Sequence, residues 1–293
     1  MLINPYNSFK SEAISLRTNF HLHAGLEGDI DLKEVILSYK EAEYDVLTIS
    51  NQYTMTDAQS LEDELGITLI NGFEYVDNKD ILVVGVNNYF DGDQQAVIDK
   101  CNQQGGFSIL AHPNFMKKRW WPQDEMSMLK GYSGVEIFNG VIFRMEGTGL
   151  ATDVWDELLS GGKLVWGFAN DDFHRWFDMT KGWNMIYANS NAHQDIKDAV
   201  RAGNFYASTG LWLNDFQFDG RTLTVRANAK DSYISQYRYR FIGQMGAVLM
   251  ETVGEVGEYI LKGHEKYIRV EVTSEHGAML WTQPVYDSEI FKL

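Results

Sequence analysis

The chain has 293 residues, 44% of them hydrophobic, and carries 41 Asp and Glu against 25 Lys and Arg, for a net charge of −16. Such a length suits one α/β barrel of roughly 200–250 residues with a small appendage, and the composition excludes a disordered or collagen-like chain. So acidic a surface disfavours broad electrostatic binding to DNA or RNA, and it repels a small anionic substrate unless local positive charge, such as a bound cation, reverses the sign.

In chain order, FHLHA reads as a strand, followed by a helix from Asp31 to Ala42 with Asp31 as its N-cap. YDVLTIS reads as a buried strand, LEDELG as a helix, and ITLINGFEYV and DILVVGV as strands. DQQAVIDKCNQQ is helical, FSILAHP and GVEIFNG are strands, ATDVWDELLSGG is a helix closed by Gly161, and LVWGFAND is a strand. NAHQDIKDAVRAG is a last helix, with Gly203 at its C-cap. Continuous apolar runs alternating with helices predict parallel strands buried on both faces. After Leu211 the texture changes: LNDFQFDGRTLTVRANAK, YRYRFIG, EYILKG and KYIRVEVTSE alternate like strands and break at DG, KG and HG turns. The expected organisation is an α/β barrel over 1–211 and a sandwich-like antiparallel β domain over 212–293.

No run of roughly 18 apolar residues is present, so no membrane partner is expected. The opening MLINPYNSFKSEAISLR lacks the basic start and apolar core of a secretory signal. The sole cysteine, Cys101, cannot form an internal disulfide, and a reducing, cytoplasmic location is the expectation. No feature specifies an oligomeric state.

The scarce ligand-type residues fall at strand ends. His21 and His23 are two apart in FHLHA, so on a strand both imidazoles point to one face. Glu74 lies near the end of ITLINGFEYV, His112 ends FSILAHP, and Asp172 and His174 follow LVWGFAN. In an α/β barrel the C-terminal strand ends converge on one face. Imidazoles with carboxylates suit Zn, Mn or Fe. Taken singly each residue has a plain structural reading; taken together they predict a metal site.

These motifs resemble the polymerase-and-histidinol-phosphatase (PHP) family, over nearly the whole chain. FHLHAG matches its HxH element, GFE its Gly-x-Glu, LAHP its AHP, GVEIFNG its G-(I/V)-E strand, and Asp172-Phe173-His174 its D-x-H. GNFYASTGLWLNDFQFDG and YIRVEVTSEHGAMLWTQPVY look like a subgroup with a C-terminal β domain. The resemblance implies a distorted seven-stranded (β/α) barrel, one to three divalent metals, and phosphoester hydrolysis. It implies one ion held by His21, His23, Glu74 and Asp172, a second shared by Glu74 with His112, and a third served by His174. The chain departs from the pattern in three places. Asn51-Gln52 stand where the family has Asp-His, Asp80 or Ile81 stands where it often has a histidine, and Glu27-Gly28-Asp29 replace Ser-Asp-Gly.

The expected chemistry is hydrolysis of a small phosphorylated substrate, mono- or diester, by a water whose pKa a metal lowers to roughly 7. His112 or His174 would protonate the leaving oxygen. Asn51, Gln52, Asn114 and Arg175 are candidate substrate contacts, with Lys117, Lys118 and Arg119 as further cations and Trp120, Trp121 and Trp176 as candidate pocket floor. The alternatives are a catalytically degenerate metal- or ligand-binding protein, which loss of Asp-His would favour, and an amide- or ester-cleaving metal hydrolase, for which no lysine is placed as a bridging carbamate. Ser208 lacks a G-x-S-x-G elbow, and neither a P-loop nor a G-x-G-x-x-G is present.

Overall fold

The structure, a computed structural model, describes residues 2–8, 13–26, 30–116, 120–230 and 236–291. Its first two-thirds carry strands β1 (Leu2–Ile3), β2 (Ile14–Asn19), β3 (Val46–Leu47), β4 (Thr68–Leu69), β5 (Gly72–Tyr75), β6 (Ile81–Val84), β7 (Phe107–Leu110), β8 (Gly134–Asn139), β9 (Trp166–Asn170), β10 (Trp183–Ala188) and β11 (Phe205–Ser208). Helices α1 (Leu32–Glu41), α2 (Glu62–Leu65), α3 (Gln94–Gln103), α4 (Gln123–Met128), α5 (Thr152–Ser160) and α6 (His193–Arg201) are interspersed. The remainder is β12 (Leu211–Phe218), β13 (Thr222–Ala229), β14 (Tyr237–Ile242), β15 (Val248–Gly254), β16 (Gly257–Ile260), β17 (Tyr267–Ser274), β18 (Met279–Thr282) and β19 (Val285–Asp287).

The helices form where cap and apolar stripe agree. Asp31 accepts a hydrogen bond from the Glu34 amide and starts α1, which buries Val35, Ile36 and Tyr39. Asp93 caps α3 through the Ala96 amide, and Val97, Ile98 and Cys101 face inward.

β5 to β9 form one five-stranded sheet in sequence order, and β2, β3 and β4 run parallel in another. The expectation of uniformly parallel strands is corrected here. β6 pairs antiparallel with both β5 and β7, whereas β7, β8 and β9 are parallel, so β6 alone runs backwards within the five. The reason is the short link from Tyr75 to Ile81, which permits a hairpin but not the crossover of a dozen or more residues that a parallel pair needs. β10 is likewise antiparallel to β2. No continuous ladder closes a barrel among the described residues. Two single parallel bridges, Gln52 to Glu74 and Leu22 to Phe173, link the chain just beyond β3 to β5 and the chain just beyond β2 to that beyond β9.

The C-terminal strands do not form one separate sheet. β12, β13 and β16 make a three-stranded sheet, while β17 and β18 continue the large sheet through β11, and β19 pairs with β1. An apolar cluster joins Leu213, Phe216 and Val225 of the small sheet to Tyr239, Phe241 and Val270 of the large one. The main core lies under β5 to β9 and takes in Tyr267, Trp281 and Tyr286 from the C-terminal region. No helix of the described residues is long and apolar enough to cross a membrane.

Candidate metal centre

The ends of the parallel strands bring the ligand-type residues together. His21 and His23 lie just past β2, Glu74 lies within β5, His112 just past β7, Glu136 within β8 and Asp172 just past β9. Asp80 precedes β6, and because that strand is reversed, its N-terminal end meets the same face. His21, His23, Glu74, His112, Glu136 and Asp172 are all buried.

The Nε2 of His21 lies 3.2 Å from Asp172 Oδ1 and 3.3 Å from Glu74 Oε1. That of His23 lies 3.3 Å from the same Asp172 oxygen and 3.6 Å from Glu74 Oε2. His112 Nε2 is 3.2 Å from Glu74 Oε1 and 3.7 Å from Asp80 Oδ2. Two triads have the spacing of a metal site, His21–His23–Asp172 and His21–Glu74–His112, and His21 belongs to both. A tetrahedral ion with bonds of about 2.1 Å sets its ligands ~3.4 Å apart, which is the spacing observed.

His21 provides the test of fit. Its Nδ1 meets Glu136 Oε1 at 2.8 Å, and since an ionised carboxylate only accepts, that nitrogen carries the proton. Its Nε2 is buried and makes no well-aligned hydrogen bond, yet faces two carboxylate oxygens. Acceptors facing acceptors need a cation between them, either a proton or a metal ion. Buried imidazole and carboxylate donors fit a borderline or hard divalent ion.

The electrostatics agree. Burial opposes ionisation of Glu74, but His21, His112 and His23 override it and hold the carboxyl well below its usual range. Asp172 is likewise held down, by His21 and His23 against burial. Burial alone would lower the pKa of His112, yet the hydrogen bond and charge of Glu74 lift it to about 9, and His21 is raised by Asp172, Glu136 and Glu74. Burial pushes Asp80 up to about 6 against the pull of His112. The imidazoles thus balance the carboxylates with protons that a metal ion would displace.

Two of the metal-centre residues sit on strained backbone. His112 and Asp172 hold φ of 31° and 55°, a region that costs non-glycine residues on the order of 1–3 kcal/mol. The His112 amide donates to Glu136 Oε2 at 2.8 Å. Asp171 pins the loop after β9, accepting from the Tyr39 hydroxyl and the amides of Thr180, Lys181 and Gly182 at 2.6–2.8 Å. Burial lifts the Asp171 carboxyl to about 6 despite those bonds.

Other sequence-derived candidates stand differently. The His174 side chain is 41% exposed, with Nδ1 3.4 Å from Asp172 Oδ1, and it stands outside both triads. Arg175 and Trp176 are exposed beside it. Asn51 is buried with both ends of its amide committed, to the backbone of Ala24 and to Thr56 Oγ1, which fixes the chain after the HxH pair. Gln52 donates to Glu74 Oε2 at 2.8 Å. Asn114 donates to Leu150 O and Asp153 Oδ1, so its amide is tied to the loop before α5. Trp121 is fully buried core. Glu27–Asp29 and Lys117–Arg119 lie outside the described residues. Sequence reading passed over Glu136 as a site residue, although a lone acid inside the apolar run GVEIF is the available signal.

No family model matches the sequence, and no curated protein does. Among solved structures, the chain is similar to a two-domain protein from Bacteroides vulgatus containing a predicted PHP-like metal-dependent phosphoesterase. The TM-score is 0.58 at 12% identity, covering 90% of this chain and 91% of that one. The likeness that the motifs suggest therefore holds at the level of the fold: a mixed α/β unit with a further β region.

Proposed function

We propose that this chain is a metal-dependent hydrolase of PHP type that cleaves a phosphoester of a small phosphorylated substrate. The observation that carries the reading is the set of buried imidazoles and carboxylates drawn to within 3.2–3.6 Å of one another around His21 Nε2 and His23 Nε2. The fold shared with a protein described as PHP-like supports the phosphoester class. When bound, a Zn, Mn or Fe ion supplies the Lewis acidity that activates water and offsets phosphate charge.

The chain's own groups do the rest. His21, His23, Glu74, His112 and Asp172 hold the ion or ions. His112 is committed to Glu74, so the exposed His174 is the proton donor. Its Nδ1 lies 2.9 Å from the Asp172 carbonyl, which can only accept, so Nε2 is left to serve the leaving oxygen. In the balanced step, water oxygen bonds to phosphorus as the ester P–O bond breaks, the departing oxygen takes the bond pair and the Nε2 proton of the His174 imidazolium, and the proton that the water sheds restores the charged ring. Arg175 lies beside His174 and grips phosphate. Gln52 orients Glu74 rather than acting as a ligand.

Strands β2, β3 and β5 to β9 are read as a distorted seven-stranded barrel over 1–211, which the two bridges support, with a sandwich-like region over 212–293. A cytoplasmic protein is the matching location. A second reading, a metal-binding module without turnover, is favoured by Asn51 and Gln52 in place of Asp-His.

The test is to strip the protein with a chelator, reload it with Mn or Zn, measure bound metal, and assay a panel of aryl phosphates and phosphodiesters. Turnover that returns only with metal, and is absent from the His21→Ala/His23→Ala double variant, is the expected result. Metal bound without turnover on any ester selects the second reading. A native chain that binds no divalent ion sinks both.

A further inference from the structure

Beside the metal centre is a hollow of about 360 Å³, bounded by Phe138, Gly140, Arg144, Phe177, Lys181 and Thr209, with Asp178, paired to Arg144, also in its wall. It opens between the end of β8 and the loop after β9, the loop that also carries Asp172 and His174. One carboxylate joins the two places. Asp178 accepts hydrogen bonds from Nε and Nη2 of Arg144, at 2.7 and 2.9 Å, and also from the amides of His174 and Arg175, at 3.2 and 2.9 Å. Arg144 is also near enough to Asp172 for that charge to act on it, after the nearer effects of Asp178 and partial burial.

The chemistry of the hollow is specific. Phe138 and Phe177 supply aromatic faces, and Phe177 is 56% exposed, so its ring is open to a ligand. The Arg144 guanidinium sits 5.1 Å from the Phe177 ring centroid. Asp178 neutralises Arg144, but Lys181 makes no ion pair among the described residues. The Lys181 cation beside these aromatic rings offsets locally the repulsion that a chain of net charge −16 exerts on an anion. The volume lies at the low end of small-molecule sites, roughly 300–1,000 Å³, which suits one substituted ring and not a polymer.

We propose that this hollow is the subsite for the organic part of the substrate, and that it takes a planar aromatic group bearing a second anionic substituent, the ring against Phe177 and the anion on Lys181. The inference rests on the phosphoesterase reading and names its substrate class: an aryl phosphoester with a further acidic group.

The test uses the full chain loaded with Mn and three substrates: 4-carboxyphenyl phosphate, phenyl phosphate and propyl phosphate. Each variant is compared with the native chain on the same substrate, so differences in leaving-group reactivity cancel. Phe177→Ala is expected to raise KM about fivefold for both aryl esters, and Lys181→Met about fivefold for the carboxylated ester alone. KM for propyl phosphate and every kcat should stay within about twofold. Unchanged aryl KM values, or equal losses on propyl phosphate, overturn the subsite. A chain that cleaves none of the three monoesters, and no phosphodiester of the wider panel, refutes the phosphoesterase reading instead. The subsite is then judged by calorimetric binding of 4-carboxyphenylphosphonate to the Mn-loaded chain: weaker binding in both variants supports it, and identical binding in native chain and variants removes it.

Discussion

The Glu136 carboxylate has two oxygens and four donors. Oε1 takes His21 Nδ1 at 2.8 Å and Asn170 Nδ2 at 2.8 Å; Oε2 takes the His112 amide at 2.8 Å and Asn139 Nδ2 at 3.0 Å. An ionised carboxylate can accept all four, whereas an amide accepts on one side only and turns an NH2 against two donors on the other. Glu136→Gln therefore frees either the His21 ring or the strained His112 backbone. The expected outcome is metal affinity lower by roughly 10–100-fold with an unchanged far-UV spectrum, read by competition with a chromophoric chelator. Unaltered affinity would mean that His21 is held by its neighbours alone. At this scale the sequence was informative where a residue type is scarce. Histidines at strand ends stand out, and His21, His23, His112 and Asp172 do meet. Glu136 and Asn51 do not stand out, because their roles consist of hydrogen bonds to partners 115 and 27 positions away. Nothing in the local pattern encodes such partners.

Elements were legible to the extent that their cause is local. Asp31 and Asp93 cap helices whose bounds fall within a residue of those read from the sequence, since cap and periodicity lie in one short window. Strand partners are not local. The reversal of β6 follows from a short link, yet it decides that Asp80, and not a residue after Val84, meets His112. The turn between β16 and β17 shows the same economy in a different register. The Glu265 carboxylate accepts the amides of Lys262, Gly263 and His264 and the Tyr259 hydroxyl at 2.7–3.0 Å. Partial burial opposes ionisation, but these bonds prevail and hold its pKa at about 2, against an ordinary 4.5. A depressed folded-state pKa gives stability that is present above 4.5 and lost as pH falls toward 2. Urea unfolding should therefore show native chain and Glu265→Gln well separated at pH 7, with the gap narrowing steadily below pH 4.5. A gap that stays constant to pH 2.5 would show that the carboxylate charge is not what the turn uses.

At the scale of the molecule, the sequence suggests two consecutive units, but the strand pairing ties them together. β18 extends the large sheet from β11, β19 pairs with β1, and Trp281 and Tyr286 lie in the main core. A further tie is ionic. Arg269 of β17 is 2% exposed and grips Asp156 of α5 with two bonds, Nε to Oδ1 at 2.8 Å and Nη2 to Oδ2 at 2.6 Å. Tyr267 donates to the same carboxylate at 3.0 Å, and Trp155 lies 5.1 Å from the guanidinium. Such a pair adds little over well-packed apolar residues, because desolvation cancels most of the attraction, but removing Asp156 leaves the buried Arg269 with only the looser Glu271 contact at 3.8 Å, at a cost of about 3 kcal/mol. Asp156→Ala is therefore expected to lower unfolding stability by that amount, with activity per folded molecule preserved because the Asp156 carboxylate bonds Tyr267 and Arg269 and none of the residues of the metal centre. Shared sheets and a shared core also predict that tryptophan fluorescence and far-UV circular dichroism follow one coincident urea transition in the native chain. Should the two probes separate, with the C-terminal strands melting first, the ties through β11, β1 and Asp156 would be too weak to make one cooperative unit, and the metal centre would owe its geometry to the first two-thirds of the chain alone.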